Sequence, residues 1–217
     1  MKKLLLSIIV IASTAFAYGQ NDPAAKKLLT EVSKKYNSYK TIQSDFTLSV
    51  QDANKKNYSD AGEMFFNKPK KEYAIILKDQ EFISNGKSVW NISKDIKEVQ
   101  ITDAENDNSS IGPNNLFTFY QSGYKYLLME DEKITKNGKT EILKVVELSP
   151  IDTKTNYYKI KLRINSNNHI HDVTIFDKSN NRYTYTIQSL YLGKNLPPSI
   201  FSFNKEKYPG YEIVDLR

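Results

Sequence analysis

The chain has 217 residues, 39% hydrophobic and 26% charged, which fits one folded domain and excludes a disordered segment. It has no cysteine, which excludes disulfides, thiolate metal sites and a cysteine nucleophile, and gives no lipidated cysteine to anchor it. The formal charge is +6, but lysines are spread along every segment among 25 acids, so they read as a solvated surface rather than a nucleic-acid or membrane patch.

Residues 1–20 have the form of a secretory leader. Lys2-Lys3 precede the apolar run Leu4–Ala12, and Ala15-Phe16-Ala17 supplies small residues for cleavage, with cleavage after Gln20 as the alternative. The run is too short to span a membrane. Without Lys2 and Lys3 the remaining chain carries about +4. One domain is expected over residues 21–217, exported and soluble.

Asp22-Pro23 marks a helix start, with Asp22 as N-cap and Pro23 at the first helical position. Leu28, Leu29, Val32, Tyr36 and Tyr39 follow as one apolar stripe. A fixed cap on a sheet and a mobile lid both fit this pattern. Ile42–Val50 reads as a strand, with Ile42, Phe46, Leu48 and Val50 on one face.

The stretch 58–92 is the centre of the chain. Apolar runs alternate at period two over Tyr58–Phe66, Tyr73–Leu77, Phe82–Ser84 and Val89–Ile92. Lys68-Pro69 ends the first run, because proline has no N–H for a ladder. Asn85-Gly86 is a hairpin turn, since both residues tolerate positive φ. Strand alternation assigns one bulky face to Met64, Phe66, Tyr73, Ile75, Leu77, Trp90 and Ile92. A face that apolar meets a core or a ligand.

Glu98–Thr102 adds a strand. In 103–110, Asp103, Glu105 and Asp107 have the spacing of a calcium loop, but Asn108 and Asn114 stand where glycine and glutamate are required, so no metal is expected. Over 113–130, Leu116, Phe117, Phe119 and Tyr120 form a dense cluster that Gly123 separates from Tyr124, Tyr126, Leu127 and Leu128. This reads as two short helices lying over an apolar opening. Strands follow at Glu132–Thr135, Thr140–Leu148, Tyr157–Ile164, Ile170–Phe176 and Arg182–Tyr191. Short closing strands are expected at Ile200–Phe203 and Tyr211–Leu216. Turn signals at this spacing mark a sandwich or barrel.

Catalytic signatures are missing: there is no Gly-rich phosphate loop, HExxH or GxSxG. His169 and His171 share a strand face, while Asp172 points the other way, so neither a metal site nor a triad is expected. The aromatic face carries no interleaved cations, which argues against nucleic acid.

The series Gly62-x-Met64-x-Phe66-x-Lys68-Pro69, then Ile83-Ser84-Asn85-Gly86-Lys87-x-Val89-Trp90, resembles the LolA family of periplasmic lipoprotein carriers. The likeness continues through Asn114-x-Leu116, Val146-x-Leu148-x-Pro150, Ile170-x-x-x-x-Ile175-x-Asp177 and Phe201-x-Phe203. It implies a mainly β fold (α+β): an incomplete antiparallel β-barrel around an apolar cavity, covered by short helices as a lid. It implies a monomeric carrier that takes triacylated lipoproteins from an inner-membrane ABC lipoprotein-release complex to an outer-membrane acceptor, without cofactor or catalysis. On this reading Phe46, Leu48, Met64, Phe66, Tyr73, Ile75, Leu77, Trp90 and Ile92 line the cavity. Leu28, Val32, Leu116, Phe117, Phe119 and Tyr120 belong to the lid. Better-known carriers often have arginine before the motif proline, latching the lid. Lys68 stands there in this chain, and a latch and a solvated lysine are both open readings. A carrier of another lipid and a scaffold module that binds proteins remain alternatives, because a fold fixes a cavity and not its contents.

Overall fold

The computed structural model describes residues 22–104, 111–136 and 138–217. The leader, residues 105–110 of the acidic loop and Asn137 lie outside the described residues. Helix α1 spans Pro23–Asn37. Its N-cap is Asp22, whose Oδ1 accepts from the backbone N–H of Ala24 (2.8 Å) and Ala25 (3.3 Å). Ala25, Leu29, Val32 and Tyr36 recur at helical spacing and are buried along one stripe. Tyr39, expected in that stripe, falls beyond the helix end.

Among the described residues thirteen strands follow: β1 (Thr41–Gln51), β2 (Asn57–Asn67), β3 (Glu72–Ile76), β4 (Gln80–Ser84), β5 (Ser88–Ser93) and β6 (Glu98–Asp103) form a meander. Then come β7 (Tyr124–Leu128), β8 (Glu132–Lys136), β9 (Lys139–Pro150), β10 (Tyr157–Ile164), β11 (Ile170–Asp177), β12 (Arg182–Leu192) and β13 (Glu212–Asp215). The sheet order is β13-β6-β5-β4-β3-β2-β1-β12-β11-β10-β9-β7, with β8 paired to β9 off this path. Strands β7 and β13 end the order without pairing each other, so the large curved sheet stays open rather than closing into a barrel. Among the described residues every pairing is antiparallel except β13 beside β6.

The turns are set by the residues the sequence offers. Gly86 has φ +83°, and a Cβ there would lie 2.5 Å from the Lys70 carbonyl oxygen. Only glycine lets the β4–β5 hairpin sit against the turn after β2. Gly62 pairs with Phe46 across β1 and β2, and its Cβ would meet the Phe46 ring at 2.9 Å and the Ile76 oxygen at 2.7 Å. The missing side chain is the space that the phenylalanine ring occupies.

Three expected elements differ. Of the two helices expected over 113–130, only 3-10 turns form, at Pro113–Asn115 and Phe119–Gln121, and the second half is strand β7. Residues Tyr124–Leu128 alternate between buried or half-buried and exposed positions, as a strand at a sheet edge requires. The expected strand Ile200–Phe203 is a 3-10 turn at Pro198–Phe201, started by a proline that has no N–H to give a ladder. Strand β13 lies beside β6 in parallel, so the expected all-antiparallel sheet has one exception.

Candidate functional site

The largest apolar cluster fills the concave side of the sheet. From β1–β3 it takes Ile42, Phe46, Met64 and Ile75, and from β9–β12 Val146, Leu148, Ile160, Leu162, Val173 and Tyr185. Leu48, Phe66, Tyr73 and Leu77 are half-buried against it. Over this floor lie α1 and residues 111–121. Helix α1 contributes Leu29, Val32 and Tyr36, with Leu28 packed alongside. The 111–121 segment contributes Leu116, Phe117 and Tyr120, with Phe119 alongside. Phe117 links cover to floor: its ring stacks on Tyr36 at 4.6 Å and meets Phe66 edge-on at 5.6 Å.

Seven of the nine residues expected on the cavity face therefore lie together, as do all six assigned to the lid. Trp90 and Ile92 do not. Strand pairing puts Phe66, Tyr73, Ser84 and Val89 in one row across β2–β5, and Phe65, Ala74, Ile83 and Trp90 in the next. Trp90 and Ile92 thus share the outer face, in a cluster with Ile83 and Val99. Residues 196–211 cover that face: Phe201 packs with Phe65 and Ala74, and Trp90, Phe203 and Tyr208 form a stacked column. The inward positions of β5 are Val89, Asn91 and Ser93, of which Val89 is buried. Apolar alternation identified the buried parity of β5, but this strand buries its outer side.

The cover is tied down at both ends of α1. At the helix C-terminus the Lys68 ammonium donates to the Tyr36 carbonyl (2.8 Å) and to Asn37 Oδ1 (3.3 Å). The last carbonyls of a helix have no partner within it, and a cation there also complements the helix dipole. Burial holds the Lys68 amine below its ordinary range. The partner of Lys68 is α1, not the 113–121 segment, because β2 ends under the helix terminus. The Tyr36 hydroxyl accepts from the Ile170 N–H at 3.0 Å, and burial pushes this phenol well above its ordinary range. Tyr39 and His169 meet at 2.9 Å, and burial lowers the imidazole.

At the N-terminus Asp22 does double work. Its backbone N–H donates to the Tyr126 carbonyl (3.1 Å), and its Oδ2 accepts from the Leu128 N–H (3.0 Å). These groups lie on the side of β7 away from β9, so the helix cap also covers the free edge of the sheet. The Leu128 and Ala24 N–H groups hold the Asp22 carboxyl below the usual range. Neither contact is legible locally, because β7 is about a hundred residues downstream.

Space on the concave side is divided between a small pocket and a wider cleft. A pocket of about 50 Å³ lies among Tyr36, Ile42, Phe66, Lys68, Phe117 and Thr118, room for one or two waters. A wider cleft of about 580 Å³ opens beside it at Phe66, Lys68, Glu72, Tyr73 and Asn114. No group of three metal-ligating side chains occurs among the described residues. The expectation that Asp172 points away from His171 fails: His171 Nδ1 lies 2.5 Å from Asp172 Oδ2, and Arg163 Nε donates to both carboxylate oxygens. Arg163 pairs with Asp172 and Ile164 with Ile170, so His171 is the extra residue of a β-bulge where strict alternation breaks, and the guanidinium already occupies the buried carboxylate.

An open, curled sheet with an apolar concavity shut by a tethered helix defines a lidded, LolA-type binding fold. The chain belongs to the LolA family: the model described as outer membrane lipoprotein carrier protein LolA matches residues 37–204. Among solved structures, an uncharacterized conserved protein from Thermus thermophilus has a TM-score of 0.56 at 9% identity, covering 88% of this chain and 99% of its own. A LolA superfamily protein from Nitrosomonas europaea is 14% identical, with TM-score 0.44 and coverages of 82% and 97%. LprF from Mycobacterium bovis is 13% identical, with TM-score 0.47 and the same coverages. At such identities the likeness is one of fold. No curated protein matches the sequence. Among the described residues no helix is long and apolar enough to cross a membrane.

Proposed function

We propose that this protein is a periplasmic chaperone for lipoproteins. It takes the acyl chains of a triacylated lipoprotein released from the inner membrane by an ABC transporter complex. It holds them against the concave face and carries them to an acceptor at the outer membrane. The observation that supports this reading is the cover itself. The concave face is apolar from Phe46 to Tyr185, and the side chains that fill it come from α1 and residues 111–121.

Leu29 and Val32 are each almost fully buried by closure, contributing about 1.5–3 kcal/mol apiece. Acyl chains bury at about 0.8 kcal/mol per CH₂, so a lipid chain of ordinary length can replace the lid side chains on the same floor. The 50 Å³ pocket admits no such chain while the lid is shut. The cleft at Phe66 and Tyr73 offers an entry, and seating a chain along the floor under α1 lifts the helix, which breaks the Lys68–Tyr36 and Asp22–Leu128 contacts. Each contact links a single residue to the lid, and together they set how readily the empty carrier opens.

The test is a two-step transfer. Purified protein is added to inner-membrane vesicles holding the release complex and a triacylated lipoprotein, and the soluble complex is then offered to outer-membrane vesicles. Release followed by handover is expected. Phe66→Glu should abolish release while circular dichroism shows an intact fold, because an unpaired charge on the floor is expensive to cover. Release by Phe66→Glu at the wild-type rate would contradict the assignment of the floor.

A further inference from the structure

We propose that the Tyr120 hydroxyl is the hydrogen-bond donor that receives the acyl carbonyl of the cargo, the ester joining each fatty chain to its headgroup. Tyr120 is 1% exposed and sits in the concave cluster with Leu116 and Phe117. Its hydroxyl is the one buried side-chain nitrogen or oxygen without a hydrogen-bond partner among the described residues. The neighbouring phenols are satisfied: Tyr36 accepts from Ile170, Tyr124 and Tyr157 pair at 2.8 Å, and Tyr126 donates to the Tyr120 carbonyl at 3.0 Å.

A buried hydroxyl left without a partner destabilises the state that buries it. Here that state is the closed, empty one. A phenol lacking an acceptor calls for a ligand that brings one, and an acyl chain brings a carbonyl at its polar end. The location fits the junction of chain and headgroup. Tyr120 faces the apolar cluster and also borders an opening of about 210 Å³ between α1 and residues 120–126, rimmed by Thr30, Ser33 and Gln121. Chains pointing into the cluster would leave their ester groups at Tyr120 and their heads among these polar side chains. Carbonyl recognition at Tyr120 rests on the carrier reading above and adds the atom by which acyl esters are told from plain hydrocarbon.

The experiment compares two ligands on two proteins. The ligands are a peptide beginning with S-dipalmitoylglyceryl cysteine and its dialkyl ether analogue, which keeps the chains and lacks both carbonyls. The proteins are wild type and Tyr120→Phe, with binding followed by displacement of an apolar dye. Wild type should prefer the ester about 3- to 10-fold, the range of one neutral hydrogen bond, and Tyr120→Phe should bind both ligands alike. Tyr120→Phe should also melt about 2–8 °C higher when empty, since the orphan group is gone. Equal ester preference in the two proteins would overturn the inference while leaving the carrier reading in place. Failure of wild type to bind either ligand would overturn both.

Discussion

Lys68 and the Tyr36 carbonyl form the tie most easily altered without disturbing the core. A flexible ammonium holds the helix end through one strong contact, whereas arginine would offer a rigid fork of donors. Lys68→Arg should favour the closed, empty carrier and weaken acyl-peptide binding about 2- to 5-fold, and Lys68→Leu should strengthen it by a similar factor. Titration with the dipalmitoyl peptide measures this, and affinities in both variants equal to wild type would mean that the Lys68 tie does not govern loading. Trp90 supplies a control from the opposite face. In its stack with Phe203, Trp90→Ala should cost about 2–4 kcal/mol in urea unfolding yet leave peptide affinity of the folded protein unchanged. A loss of affinity would mean that the outer face takes part in binding. Phe46, Met64 and Phe66 were legible as one face from their period-two spacing along β1 and β2, although Phe65 between them is also apolar and packs on the outer side. On β5 the same rule failed, since burial by residues 196–211 gives the outer side the larger side chains. Alternation reports which parity is buried, not which side of the sheet does the burying.

At the scale of elements, α1 is held by its cap, its stripe and the edge of β7. Asp22 serves two of these, so Asp22→Ala should lower the urea midpoint of unfolding more than loss of a helix cap alone. It should also speed hydrogen exchange at Leu128, whose amide loses its acceptor. Unchanged exchange there would contradict the edge contact. Because the folded Asp22 carboxyl lies below its unfolded value, its contribution is complete above about pH 4–5 and is lost as pH falls through the folded value. Wild type should therefore lose α1 protection on acidification from pH 5 to 2.5 more steeply than Asp22→Asn, which has no carboxylate to protonate. The start of α1 was legible because Asp22-Pro23 encodes a cap locally, and most strands were legible from turn residues such as Asn85-Gly86. Strand β7 was not. Tyr124–Leu128 has two apolar residues in succession at its end, which suits a short helix equally well until β9 fixes it as a strand.

For the whole molecule, the open sheet carries apolar surface on both faces and covers each differently. On the outer face, residues 196–211 cover the apolar part of β2–β6, with Tyr208 bonded to Glu81 at 2.7 Å, while β13 extends the sheet beside β6. The concave face is shut by α1 and residues 111–121, which meet a cleft and a small pocket rather than another layer of sheet. The concave cover is joined by a few side chains at its ends, which is the side the carrier reading assigns to the acyl chains. The family pattern pointed to this lidded architecture, and the particular ties could not be read because Asp22, Tyr36 and Lys68 meet partners distant in sequence. What the concave face holds in the cell is the central question. Native mass spectrometry of protein purified gently from periplasmic extract answers it most directly. The account predicts a bound species whose mass and fragments identify a triacylated amino-terminal cysteine peptide or intact lipoprotein, displaced by the dipalmitoyl peptide and reduced in Phe66→Glu. Recovery of a free lipid as the sole bound species, or of unliganded protein that fails to take up the peptide, would contradict it.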